Sequence, residues 1–136
     1  MNRNLLILLF ITSCIFKINA QADLLGNWEL SKIVKLPKDT QAIKNDNEKY
    51  IKYFFNYNNT FIAYQGKDKE EVNGKWGFDR KENAIKVRNH TFVKSKNTIP
   101  DYNIKLVVLS KTFFIQVIED KKGKPIEHHI YKKLES

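Results

Sequence analysis

From Asn27 to Lys133 the chain holds no helical hydrophobic period of useful length. It is cut instead into about eight β-prone runs, each closed by a turn signal. The first runs from about Asn27 to Leu36 and stops at Pro37, with Ile33 and Val34 adjacent, so a bulge near Lys32 is expected. Tyr50–Phe55 and Thr60–Tyr64 form a hairpin around Asn56-Tyr57-Asn58-Asn59, because asparagine tolerates left-handed backbone angles. Glu71–Phe78 and Ala84–Arg88 follow, parted by Asp79–Asn83. Tyr102–Leu109, Thr112–Glu119 and Pro125–Lys133 complete the set, with turns at Ser110-Lys111 and at Asp120–Lys124, where Gly123 can take a positive φ. Two longer connections remain, Lys38–Glu48, a candidate flap over one end, and Thr91–Pro100. Sequential strands on short connections predict an all-β antiparallel meander. About eight strands close into an up-and-down barrel, which removes exposed edges; a two-sheet sandwich is the alternative.

Two Gly-x-Trp units anchor this pattern: Gly26-Asn27-Trp28 opens the first strand and Gly74-Lys75-Trp76 lies inside the fourth. A glycine two residues before an indole leaves room for the ring or for a close backbone approach. Alternation puts Trp28 with Leu30, and Trp76 with Phe78, on one face. The full set read as inward adds Ile85, Val87, Tyr102, Ile104, Leu106 and Val108, then Phe113, Ile115, Val117, His128 and Ile130. Tyr53, Phe54 and Phe55 leave their strand apolar on both sides.

Residues 1–20 read as an export leader. Arg3 supplies a basic start, Leu5–Phe16 an apolar run, and Asn19-Ala20 a small-residue cleavage site before Gln21. The run is short of the roughly 20 residues that span a bilayer, so no stable membrane span is expected. Ile11-Thr12-Ser13-Cys14 also resembles a lipobox, which makes a lipoprotein anchored at Cys14 the alternative to secretion or periplasmic release. Residues 21–136 then form one domain without cysteine, held together by packing rather than disulfides. Removing Arg3 and Lys17 from the 24 basic residues leaves 22 against 15 acidic ones, a net charge of +7. Lysines on outward faces keep such a β-protein soluble and monomeric. With Arg80 and Arg88 as its arginines and no basic arm, the domain does not suit nucleic acid.

In order and spacing these motifs resemble lipocalins, and more closely the small lipocalin-like domains of secreted bacterial proteins of Bacteroidetes type. The opening Gly-x-Trp strand, Tyr53-Phe54-Phe55-Asn56 running to Thr60-Phe61, the second Gly-x-Trp, Leu109-Ser110 and the closing Tyr131-Lys132 carry the likeness over residues 24 to 134. It implies a barrel and an apolar pocket. The last-strand arginine that in lipocalins packs over the first tryptophan has no counterpart; Lys132 or Lys133 could partly take its place by a cation–π contact.

Catalytic signals are sparse. His128 and His129 are strand neighbours, so they face opposite ways and cannot grip one metal together. No metal and no cofactor is expected. Asp68, Glu70 and Glu71, and likewise Glu119 and Asp120, sit in solvated turns among lysines, where neither a cleft nor shifted pKa values is expected. Asn58-Asn59-Thr60 and Asn89-His90-Thr91 match the glycosylation sequon by accident of turn composition. The expectation is therefore a protein that binds rather than an enzyme. It would take a small apolar, lipid-like molecule within the barrel, against Trp76, Phe78, Tyr102, Ile104, Leu106, Phe113, Ile115 and His128. The rival is a filled barrel that contacts envelope polymer or another protein through its basic surface or loops.

Overall fold

A computed structural model of the protein describes residues 21–36, 43–44 and 50–134. The expected leader with Cys14, and most of the Lys38–Glu48 connection, lie outside the described residues.

A helical turn over 21–24 leads into ten strands. They are β1 (Gly26–Lys35), β2 (Ile43–Lys44), β3 (Ile51–Phe55), β4 (Thr60–Gln65), β5 (Glu70–Asp79), β6 (Ala84–Phe92), β7 (Thr98–Ile99), β8 (Tyr102–Leu109), β9 (Phe113–Glu119) and β10 (Pro125–Leu134). The long strands follow one another around a single sheet, and β10 pairs antiparallel with β1 along most of its length. The fold is a closed, antiparallel, eight-stranded up-and-down barrel; the two-residue β2 and β7 attach to β1 and β6. Closure matters because it leaves no long row of unpaired backbone groups.

The glycines of both Gly-x-Trp units answer to close approaches. Gly26 has φ +117°, and a Cβ there would lie 3.0 Å from the Lys133 side chain. A Cβ on Gly74 would lie 2.8 Å from the carbonyl oxygen of Arg88, where β6 carries an extra residue opposite β5. Asn89, at φ 54°, makes that bulge. The sequence reading stopped β6 at Arg88. In fact the bulge lets pairing continue to Phe92.

The closed end is sealed by the helical turn. Trp28 is fully buried and its indole N–H donates to the Leu24 carbonyl at 2.8 Å. Lys133 Nζ stands 5.2 Å from the Trp28 ring and also donates to the Asp23 carbonyl at 3.1 Å. Lys133 thus supplies the cation that the sequence suggested for this place.

From Trp28 a column of rings climbs the barrel. Phe114 lies 4.9 Å from Trp28, and Tyr131 stacks on Phe114 at 4.6 Å and 17°. Tyr53 stacks on Tyr131 at 5.2 Å, Phe61 meets Tyr53 at 5.4 Å, and His90 meets Phe61 at 5.8 Å. Burying one such ring is worth roughly 1.5–3 kcal/mol, and each ring pair adds roughly 0.5–1.5 kcal/mol. The column fills the lower barrel and leaves the upper end for other use.

This column overturns part of the expected inward set. Phe114 is wholly buried and Phe113 is 36% exposed, so on β9 the inward face is Phe114, Gln116 and Ile118, not Phe113, Ile115 and Val117. Phe114 pairs with Tyr131, so β10 turns Glu127, His129 and Tyr131 inward and His128 and Ile130 outward. On β8 a bulge at Val107 ends the expected alternation, leaving Val108 exposed and Leu109 packed against the core.

Candidate functional site

At the end of the barrel opposite Trp28, β1, β3, β4, β5, β6 and β10 surround a cavity of about 560 Å³. Its apolar wall is Leu30, Ile33, Ile51 and Phe92. Tyr50, Gln65, Glu127 and His129 add polar groups. The β4–β5 turn contributes Gly66, Lys67 and Asp68 at the rim, joined by Glu70, the first residue of β5. Pockets that take small ligands run roughly 300–1,000 Å³, so the volume suits one compact molecule.

The polar groups reach this position through backbone register. β1 bulges between Leu30 and Lys32, which keeps Leu30 and Ile33 both inward. Ile33 then stands opposite His129, and Glu127 falls one inward position nearer the rim. His129 Nε2 and Glu127 Oε2 are 2.8 Å apart. The pair can accept through the carboxylate and, with the ring's other nitrogen, donate or accept. Asp68, Glu70 and Glu127 outnumber Lys67 among the lining residues, although the whole chain carries a net charge of +9. Lys69 Nζ, 4.8 Å from the Tyr50 ring, adds a second cation beside Lys67 at this end.

Next to Phe92, in the core and outside the cavity lining, lies His90. It is 2% exposed, and neither ring nitrogen has a hydrogen-bond partner among the described residues. Phe61, Phe92 and Tyr102 rings surround it at 5.8, 6.4 and 5.1 Å. Burial pushes the imidazole below its ordinary value, so it is held neutral. Deeper still, the Tyr53 and Tyr131 hydroxyls lie 3.5 Å apart, longer than an ordinary O–H···O bond. Burial raises both phenols well above their usual range, so both stay protonated.

None of the eight residues expected to touch a ligand lines this cavity. Trp76, Ile104 and Leu106 face inward but are sealed in the core, and Phe78 and Tyr102 pack against it. Phe113, Ile115 and His128 face outward because β9 and β10 take the other phase. The sequence reading turned His128 inward, which leaves His129 and the Glu127 on its face pointing out, and it passed over His90 as a site residue. A signal for His90 was present. Val87 and Phe92 are out of step by one residue, and an asparagine lies between them where a bulge could reset the phase. Among the described residues no three His, Cys, Asp or Glu side chains gather as a metal site requires. No described helix is long and apolar enough to cross a membrane.

Fold and site together define a closed β-barrel with an end-on cavity. No protein-family model and no curated protein matches the sequence. Two solved structures are similar in shape. One is the selenomethionine derivative of a biogenic amine-binding protein, at 11% identity and a TM-score of 0.45, covering 82% of this chain. The chain spans 64% of that protein's length. The other is a deswapped triple mutant of bovine odorant-binding protein, at 16% identity and a TM-score of 0.41, covering 84% of this chain and 76% of that one.

Proposed function

We propose that this protein is an exported, monomeric carrier that holds one small, predominantly apolar molecule at the open end of its barrel and performs no chemistry on it. The observation that carries this reading is the cavity of about 560 Å³, walled by Leu30, Ile33, Ile51 and Phe92 and carrying Tyr50, Gln65, Glu127 and His129 as polar groups. A guest would lay its apolar body against Leu30, Ile33, Ile51 and Phe92 and turn its polar end to Glu127 and His129. The leader-like residues 1–20 support a carrier that works outside the cytoplasm, and the lipocalin-like order of motifs agrees with a binding role.

The test is titration of residues 21–136 with the neutral fluorescent dye N-phenylnaphthylamine. Saturable binding of one dye per chain is expected. Ile51→Trp fills the cavity from its wall and should weaken the dye by at least about tenfold, since a filled pocket has no apolar surface left to offer. Ile51 is only partly buried at the open end, so this variant should still fold. Dye binding that is unchanged in a folded Ile51→Trp protein would place the guest elsewhere and overturn the assignment of this cavity.

A further inference from the structure

The phase change on β9 and β10 has a counterpart on the outside of the barrel. It turns apolar side chains to solvent. Val107, Val108, Phe113 and Ile126 are 50, 37, 36 and 39% exposed, and all four lie on the three consecutive strands β8, β9 and β10. Backbone register joins them into one surface. Val108 stands opposite Ile115, and Ile115 opposite Ile130. Val117 stands opposite His128, and His128 opposite Val34 of β1. A contiguous exposed apolar face on a small soluble barrel marks a contact surface.

Its border is basic. Exposed Lys32 and Lys132 occupy the strand positions opposite Ile130 and Phe113. Lys111 lies in the turn between β8 and β9; Lys121, Lys122 and Lys124 lie in the turn between β9 and β10. Three acids stand nearby, and the lysines outnumber them: Glu29 of β1 lies opposite Lys132, and Glu119 and Asp120 follow on β9 and its turn. Glu119 pairs with Lys105 at 3.3 Å, and Asp120 accepts from the backbone N–H groups of Lys122 and Lys124 at 2.8 and 2.9 Å.

From this arrangement we infer that the outer face of β8–β9–β10 docks the barrel on an anionic lipid surface. Phe113, Val108 and Ile126 enter the interfacial layer while the lysines meet the headgroups. Charge complementarity selects this partner. In a twofold contact between two copies, this lysine border would face itself. A soluble polyanion would satisfy the lysines and leave the apolar centre without a role. The face lies on the side wall, apart from the open-end cavity, so the inference does not depend on a guest being carried.

The experiment is co-sedimentation of residues 21–136, which contain the whole closed strand ladder, with two kinds of vesicle. Vesicles of phosphatidylcholine mixed with phosphatidylglycerol should retain the protein, and vesicles of phosphatidylcholine alone should not. The double variant Val108→Gln/Phe113→Gln keeps the net charge and alters side chains already at the surface. It should lower apparent affinity by at least about tenfold with Tm unchanged, because apolar insertion is lost while headgroup attraction stays. Lys75→Gln, exposed on β5 away from these strands, should change affinity by less than about threefold. Failure to sediment with the anionic vesicles would overturn the inference, as would undiminished binding by the double variant. A monomer–dimer equilibrium in analytical ultracentrifugation that the double variant abolishes would also overturn it, by assigning the face to a second copy.

Discussion

Phe114→Ala is expected to destabilise the barrel by about 3–5 kcal/mol, whereas Phe113→Ala next to it should cost less than about 1 kcal/mol. The two residues are chemically identical and adjacent, so the contrast isolates the face. Phe114 is wholly buried between Trp28 at 4.9 Å and Tyr131 at 4.6 Å. Its removal opens a void in the column of rings that no flexible side chain stands ready to fill, and it frees one face of the Trp28 indole that seals the barrel end. Phe113 is 36% exposed and stands opposite Lys132. For a domain whose total stability falls within about 5–15 kcal/mol, the first loss takes about a fifth of it or more. Thermal unfolding followed by circular dichroism should therefore show a drop on the order of 10–20 °C for Phe114→Ala and little change for Phe113→Ala. The reverse order would mean that β9 takes the phase its sequence suggests, and the pairing with Tyr131 would fall with it.

That ambiguity explains how much of the fold could be read from residues alone. The strand sequence, the turns and the closed meander follow from local chemistry: β-branched and aromatic runs separated by Asn-, Gly- and Asp-rich turns. Face assignment needs one more piece of information wherever both faces of a strand are apolar. On β9, Phe113, Ile115 and Val117 compete with Phe114, Gln116 and Ile118, and the glutamine makes the wrong set look better. On β10 the isoleucines compete with Glu127, His129 and Tyr131. The structure favours the polar set because Tyr131 alone is needed deep in the core. Glu127 and His129 reach the open end, where water or a guest can satisfy them. Each bulge, at Ser31, Val107 and Asn89, then shifts the phase by one residue. The candidate site was lost for both reasons: Glu127 and His129 lie on the β10 face that the isoleucines disguise, and His90 lies just past the bulge at Asn89. Where a strand has one clear large residue, as with Trp28, the reading and the structure meet, and of the two lysines offered as its partner the structure takes Lys133.

Replacing His90 by leucine is expected to stabilise the folded protein by about 1–3 kcal/mol, the cost of a buried polar group left without a partner. Leucine is close in volume to the imidazole and can fill the space between Phe61, Phe92 and Tyr102 without a charge or an unmet donor. The variant should also change how stability responds to pH. Burial lowers the folded-state pKa of His90 below its ordinary value of 6.5. Between that ordinary value and the lowered one, the unfolded chain binds a proton that the folded chain refuses. Stability from this group is therefore intact above about 6.5 and falls as pH drops through the window toward the folded value. Chemical denaturation of both proteins at pH 7.5 and at about pH 5 gives the readout: the advantage of His90→Leu should widen at the lower pH. An advantage that is the same at both values would show that His90 is not held neutral by burial; a loss of stability would show that its nitrogens are satisfied in solution. The outcome bears on the cavity as well. Natural chains break a local packing rule mainly at sites of function. His90 breaks one next to Phe92, a ring 6.4 Å away that lines the cavity where a guest is proposed to sit. If its place there is functional, the stabilised leucine variant should bind N-phenylnaphthylamine normally, since that dye needs only apolar surface, and should lose affinity for guests with a polar group long enough to reach past Phe92.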